Sequence, residues 1–267
     1  MDQNKALEAV QIEQRLQGAA KEAHVAVFPS LASTNATAKQ MAAEGAQNGS
    51  VVIAEHQSAG RGRMSRSFFS PDGTGLYMSV IVRRSLPAVY STRLTTAAAV
   101  ATAQAIERIS GRSAQIKWVN DIYLDGKKVC GILTEGGISP DTGMLEYAVV
   151  GIGVNIAPPC GDFPADLAEI ATSLFKKGQA PNDVRECLAA GILNQLMVLL
   201  DDLDNPDILD DYRRRCLVLG KQVCVHRGDA DARHALALDV DHDFRLVVRY
   251  EDGSNEALDS GEVSAKI

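Results

Sequence analysis

The chain has 267 residues, 46% of them hydrophobic and 23% charged, with a formal net charge of −7. The composition is globular, and the length allows one large domain or a medium domain with a small appendage. The acidic balance excludes a broad basic face for sequence-blind nucleic-acid binding, which phosphate neutralisation drives.

Residues 3–17 read as a short helix ending near Gly18, without the apolar segment of a secretory leader. His24–Phe28 reads as a strand stopped by Pro29. Ser33 or Thr34 then caps an alanine-rich helix that runs to Gly45. The triplet Ser33-Thr34-Asn35 therefore sits at a strand-to-helix junction, where unpaired backbone donors converge. Ser50–Gln57 is a β-branched run and a buried strand. Gly75–Arg84 is another strand, and Ser91–Ser110 a small-residue helix stopped by Gly111. Asp125-Gly126 lies between two apolar runs and predicts a hairpin. Leu145–Ala157 is a buried strand whose expected partner is Gly131–Glu135. Helices are expected over Leu167–Lys177, Asp183–Leu203 and Pro206–Arg215. After Leu219 several short strands, with turns at Gly228-Asp229 and Asp252-Gly253, suggest a small antiparallel barrel.

The fold class is thus α+β: a mixed sheet with helices on one face, plus a C-terminal barrel, divided as 1–218 and 219–267. Cys130, Cys160, Cys187, Cys216 and Cys224 are odd in number and form no C-x-x-C. Neither a disulfide framework nor a zinc site is expected, and a reducing cytoplasm fits. No apolar run approaches the length of a membrane span.

Four stretches can carry chemistry. Gly60-Arg61-Gly62-Arg63 alternates flexible backbone with guanidinium groups, which bind phosphate or carboxylate in a forked geometry. It is either a loop that folds over a small anion or a mobile basic surface loop. Lys117-Trp118-Val119-Asn120-Asp121 puts the one tryptophan before an Asn-Asp pair; it is a polar anchor or a turn beside a core residue. Lys127 and Lys128 follow the hairpin turn and face opposite sides of their strand, so one faces whatever the sheet covers. Gly151-Ile152-Gly153-Val154-Asn155 ends a buried strand; its small residues permit close ligand approach or relieve crowding. It lacks the third glycine and following helix of a dinucleotide fingerprint.

In order and spacing, S-T-N, Q-x-A-G-R-G-R, K-W-x-N-D, K-x-x-G-I-L-x-E and G-I-G-x-N together resemble the biotin protein ligases from Ser33 to Asn155. The resemblance implies a ligase that activates biotin with ATP and Mg²⁺ to biotinyl-5′-adenylate. Biotin then passes to a lysine of a biotin carboxyl carrier protein, such as that of acetyl-CoA carboxylase. The implied fold is a ligase-like catalytic domain with an SH3-like barrel. Ser33, Thr34, Asn35, Gln57 and Gly131 match biotin-binding positions, as do Gly60, Arg61, Gly62 and Arg63 of the loop, with Lys128 near the biotin carboxylate. Arg63, Phe68, Trp118, Asn120, Asp121 and Asn155 match the ATP side. Arg63, Lys128 and Asp121 are the implied catalytic groups, with Asp121 also the implied magnesium ligand.

Three positions depart from the pattern: Ser65 replaces a glycine, Phe68 a tryptophan and Val119 a proline. Only about twenty-three residues precede the first strand, too few for the DNA-binding domain that some members of the family add, so no DNA partner is expected; no membrane partner and a monomer or homodimer are expected as well. A lipoate ligase of the same architecture and a nucleic-acid-binding module are the alternatives; the acidic charge and lack of interleaved aromatics oppose the second.

Overall fold

A computed structural model describes residues 6–64, 66–226, 232–259 and 262–265. In chain order the first part holds α1 (Ala9–Glu13), β1 (His24–Leu31), α2 (Thr34–Ala43), β2 (Ser50–Gln57), β3 (Gly75–Val82), β4 (Leu86–Pro87) and α3 (Ser91–Ser110). There follow β5 (Gln115–Lys117), β6 (Asp121–Leu124), β7 (Lys127–Ile138), β8 (Met144–Asn155), α4 (Ala165–Ala168), α5 (Val184–Asp201) and α6 (Pro206–Arg215). The last part holds β9 (Gln222–His226), β10 (Arg233–Val240), β11 (Leu246–Tyr250), β12 (Asn255–Leu258) and β13 (Glu262–Ala265).

The main sheet runs β1-β2-β3-β8-β7-β6-β5, with β4 paired to the start of β8. Only β1–β2 is parallel; the β2–β3, β3–β8 and β8–β7 pairs are antiparallel. Gly131 to Glu135 pairs with Gly153 to Val149, as the sequence predicts. All eight residues of β3 are buried, because the strand lies mid-sheet with both faces covered. Alternate residues serve the two sides. Val51, Ile53, Met78, Val80 and Ile152 join the large core under α3 and α5, while Val52, Ile81 and Val149 meet Ala38 and Ala42 of α2. The expectation of helices on a single face is therefore corrected: α2 covers the other side. The alanines of α3 are almost wholly buried, and Gly191 of α5 sits where a Cβ would come 3.5 Å from Ala105, so small residues bring the two helices together.

Three boundaries differ from those read in the sequence. Helix α1 spans only Ala9–Glu13, followed by a 3₁₀ turn at Gly18–Glu22. The Leu7 amide is tied to the buried Glu55 carboxylate and Glu8 offers no side-chain cap, so tertiary anchoring overrides helix propensity. Strand β1 continues past Pro29, with pairing resumed at Ser30 opposite His56; it is an edge strand, where a missing amide is tolerated. The helix expected over Leu167–Lys177 shrinks to α4. Its backbone groups are taken instead by the sheet: Lys128 N donates to Ile170 O, Thr172 N to Lys128 O, and Leu174 N to Asn155 O.

The second sheet, β12-β11-β10-β9-β13, is wholly antiparallel. Gly253 adopts φ +83 in the turn expected at Asp252-Gly253. The turn expected at Gly228-Asp229 lies outside the described residues. A barrel this small has a marginal core of its own, and its apolar residues continue the large core of the first part. The Trp118 indole N–H donates to Phe244 O (2.9 Å), and the Tyr212 ring meets Phe244 edge-on. Among the described residues no helix is long and apolar enough to cross a membrane.

Candidate active site

On the α2 face, a cavity of about 410 Å³ opens between the N-terminus of α2, the glycine-arginine loop and the ends of β5 to β8. Every site residue singled out in the sequence lines it except Gly60. Gly60 stands just behind, where its carbonyl accepts from Phe68 N and a Cβ would collide with Phe68 O. The lining includes five cations (Arg61, Arg63, Arg66, Lys117, Lys128) and one carboxylate, Asp121. A chain of net charge −7 thus concentrates positive charge in one place, which suits an anionic ligand.

The α2 end is a closed hydrogen-bond network. Ser33 caps α2, accepting from Ala36 N, and is 3% exposed. Among the described residues no acceptor takes its hydroxyl proton. Gln57 Oε1 accepts from Thr34 N (2.8 Å) and Thr34 Oγ1 (3.1 Å), while Gln57 Nε2 donates to Ser70 Oγ (2.8 Å). Ser79 Oγ, fully buried on β3, lies 2.8 Å from Thr34 Oγ1 and 2.7 Å from Asn35 Oδ1. Asn35 Nδ2 donates to Leu133 O and to Glu135. Such a network fixes which donors and acceptors the triplet presents.

The opposite end carries the charges. Arg63 Nη1 donates to Asn120 Oδ1 (3.0 Å), and Asn120 Nδ2 to Ile132 O (2.7 Å). Lys128 Nζ is 2.7 Å from Asp121 Oδ1, in an ion pair not aligned as a hydrogen bond, so that buried oxygen accepts none. Lys127 turns the other way and donates to Ala168 O, as strand alternation requires. Asn155 Nδ2 donates to Thr172 O (3.1 Å). Burial pushes the Tyr123 phenol up to about 12. Burial also raises the Cys130 thiol far above its usual value, leaving a neutral core residue and no nucleophile.

The loop folds back on itself: Gly62 N donates to Arg66 O (2.7 Å) and Arg61 bridges to Ser67. Its Phe68 ring lies on the sheet at two glycines. A Cβ on Gly153 would come 2.6 Å from the ring, and one on Gly131 3.3 Å. Phe68, grouped by resemblance with the nucleotide, therefore lies over the sheet floor between the two ends. A Cβ on Gly151 would collide with Asn35 Oδ1. The glycines of G-I-G thus make room for Asn35 and Phe68.

Ser79, Glu135 and the apolar wall of Phe163, Leu167, Ile170 and Ala171 were not singled out in the sequence. Ser79 was visible only as the polar break in the apolar run of β3, and Glu135 only as the acid closing K-x-x-G-I-L-x-E.

The model of the biotin/lipoate A/B protein ligase family matches residues 27–155. The biotin–[acetyl-CoA-carboxylase] ligase of Mycobacterium tuberculosis is 32% identical over 221 residues, covering 80% of this chain and 79% of that protein. The bifunctional ligase/repressor BirA of Bacillus subtilis is 39% identical over 178 residues, 67% of this chain; the match spans about half of that relative's length, 53%. A solved biotin protein ligase from Aquifex aeolicus, in complex with biotin and ATP, superposes with a TM-score of 0.73 at 22% identity, covering 91% of this chain and 98% of that one, and shows the shared fold. With the motifs gathered around one cation-lined cavity and relatives aligned along most of its length, the chain belongs to the biotin protein ligases of the biotin/lipoate protein ligase family.

Proposed function

We propose that the chain joins biotin to ATP, giving biotinyl-5′-adenylate and pyrophosphate, and then transfers biotin to one lysine of a biotin carboxyl carrier domain. The observation that carries this reading is the joining, in one cavity, of a hydrogen-bonding end at α2 with a cationic end at β5–β7. A ureido ring offers two N–H donors and a carbonyl acceptor. The buried Ser33 hydroxyl, with its proton uncommitted, suits the carbonyl; Thr34, Asn35 and Gln57 supply further partners.

In the first step a carboxylate oxygen attacks the α-phosphorus and the bond to the bridging oxygen breaks, releasing pyrophosphate. Two anions meet, so positive charge must be fixed in place beforehand; such preorganised charge is the large term in phosphoryl and nucleotidyl transfer. Arg63 and Lys128 supply it, while Arg61 stands at the biotin end. Asp121 would hold Mg²⁺ once the Lys128 ammonium, now 2.7 Å from its Oδ1, has turned to substrate: that oxygen is buried and accepts no aligned hydrogen bond, and hard cations take carboxylate oxygens alongside phosphates. When bound, the ion offsets phosphate charge. In the second step the carrier lysine's neutral amine attacks the acyl carbon and AMP leaves. Lys128, beside the carboxylate position, stabilises the charge that develops on the acyl oxygen.

The adenylate is a mixed anhydride that water destroys. The glycine-arginine loop, which leads to Phe68 on the sheet floor, shields it. The carrier partner is the biotin carboxyl carrier of an acetyl-CoA carboxylase, in keeping with the carboxylase named in the description of the Mycobacterium relative. Five free cysteines suit a cytoplasmic setting.

The test is incubation with ATP, Mg²⁺, carrier domain and either biotin or lipoate, read by intact mass. The carrier is expected to gain one biotin, with lipoate unused. No pyrophosphate release on adding biotin would refute the reading.

A further inference from the structure

Glu135 closes the K-x-x-G-I-L-x-E run, and nothing in the reaction above gives it a part. It projects from β7 toward α2, on the same side as Gly131 and Leu133, but does not line the cavity. Its Oε2 accepts from Asn35 Nδ2 (2.9 Å); its Oε1 is 3.0 Å from Lys39 Nζ and 4.0 Å from Arg61 Nη1. One carboxylate, 23% exposed, thus joins strand, helix and loop. Burial alone would raise its pKa. The hydrogen bonds from Asn35 and Lys39 and the charges of Lys39 and Arg61 outweigh this and hold it below the usual glutamate value.

The Asn35 amide has one workable orientation. Nδ2 gives its two protons to Leu133 O (3.1 Å) and Glu135, while Oδ1 faces the Ser79 hydroxyl. Turned over, the amide oxygen would face a carbonyl and a carboxylate with no proton between them. Arg61 sits at the start of the glycine-arginine loop, and Glu135 is the one carboxylate within ion-pair distance of it among the described residues.

We propose that Glu135 is a positioning residue for the biotin end of the site: it sets the Asn35 amide and draws Arg61, with the base of the loop, onto the cavity rim. This rests on biotin being the ligand of that end. Glu135 acts through two other residues and reaches no reacting atom, so its loss is felt in biotin affinity and not in the phosphoryl step.

The test uses the full chain. E135Q keeps an acceptor for Asn35 and removes the charge; E135A removes both. The biotin KM is expected to rise about three- to fivefold in E135Q and about tenfold in E135A, with kcat and the ATP KM within about twofold of wild type. A merely structural role would instead lower kcat along with the melting temperature. If E135A does not fold, E135Q carries the comparison. A second readout needs no biotin: trypsin cleavage after Arg61 and Arg63 in ligand-free protein, followed by mass spectrometry, is expected to be several-fold faster in E135Q. An unchanged biotin KM, or equal cleavage rates, overturns the proposal. Wild-type protein inert toward biotin would sink the ligand assignment instead, and the cleavage comparison would still decide whether Glu135 holds Arg61.

Discussion

Lys128 and Asp121 face each other across the β6–β7 hairpin, ammonium to carboxylate at 2.7 Å. The pair is about a quarter to a third exposed, so its own contribution to stability is small, about 1 kcal/mol or less. Its consequence, on the proposed mechanism, is functional: each group is held in place at the cavity until a substrate group of opposite sign takes it over. Lys128→Ala is therefore expected to lower adenylate formation about 10²-fold or more while the melting temperature moves little. Pyrophosphate release in a single turnover checks the first step. Transfer from preformed biotinyl-adenylate checks the second. Equal first-step rates in variant and wild type would remove Lys128 from that step.

The Phe68 ring rests where Gly153 has no side chain. Gly153→Ala should cost about 1–3 kcal/mol of stability and displace the ring. Phe68→Ala clears the obstruction, so the double variant should be more stable than the sum of the single effects predicts. Thermal melts of the four proteins measure the coupling; strict additivity would show that ring and glycine do not meet.

Asp211 on α6 is almost fully buried. Burial alone would raise its carboxyl; the Gln104 amide and the Arg214 and Arg215 guanidinium groups outweigh this and hold it below the usual aspartate value. A depressed folded-state pKa contributes stability that is present above the unfolded value and lost as pH falls through the folded one. Wild-type protein should lose this share of its stability below about pH 4. Asp211→Asn should be less stable at pH 7 and show a shallower decline into acid. Melting curves at pH 7 and pH 3 give the comparison, and parallel declines would rule out Asp211 as a source.

The indole N–H of Trp118 reaches out of the cavity wall to Phe244 O in the turn between β10 and β11. Trp118→Phe keeps a ring and removes the donor, leaving a buried carbonyl unsatisfied. Calorimetry should show a loss of about 1–3 kcal/mol. Hydrogen exchange should rise first in β10–β11, next to the lost bond. Unchanged exchange there would mean that the bond does not hold the barrel in place.

How far the sequence could be read depended on where each signal lay. Helix α3 was legible end to end because its alanine pattern is sustained and Gly111 stops it in the left-handed region, at φ +66. The triplet at α2 was legible because Ser33 must cap something. The Leu167–Lys177 segment was misread because its composition suits a helix, while its backbone groups pair with Lys128, Asn155 and Ile156, none of which is near in sequence. The two-sided cover of the sheet was missed for a related reason. Strands β2, β3 and β8 are apolar on both faces, which hides alternation and shows only that they are buried. Ser79 escaped notice because one serine in such a run has no meaning until Thr34 and Asn35 stand over it.

The backbone of Lys128 is gripped from both sides, its amide held by Ile170 and its carbonyl by Thr172. The anchor point cannot slide, and the four methylenes between it and the ammonium remain the sole travelling part. On the proposed mechanism, in which this amine meets first a phosphate and then an acyl group, it changes allegiance by turning those bonds, at the pace of a rotamer and without disturbing the strand.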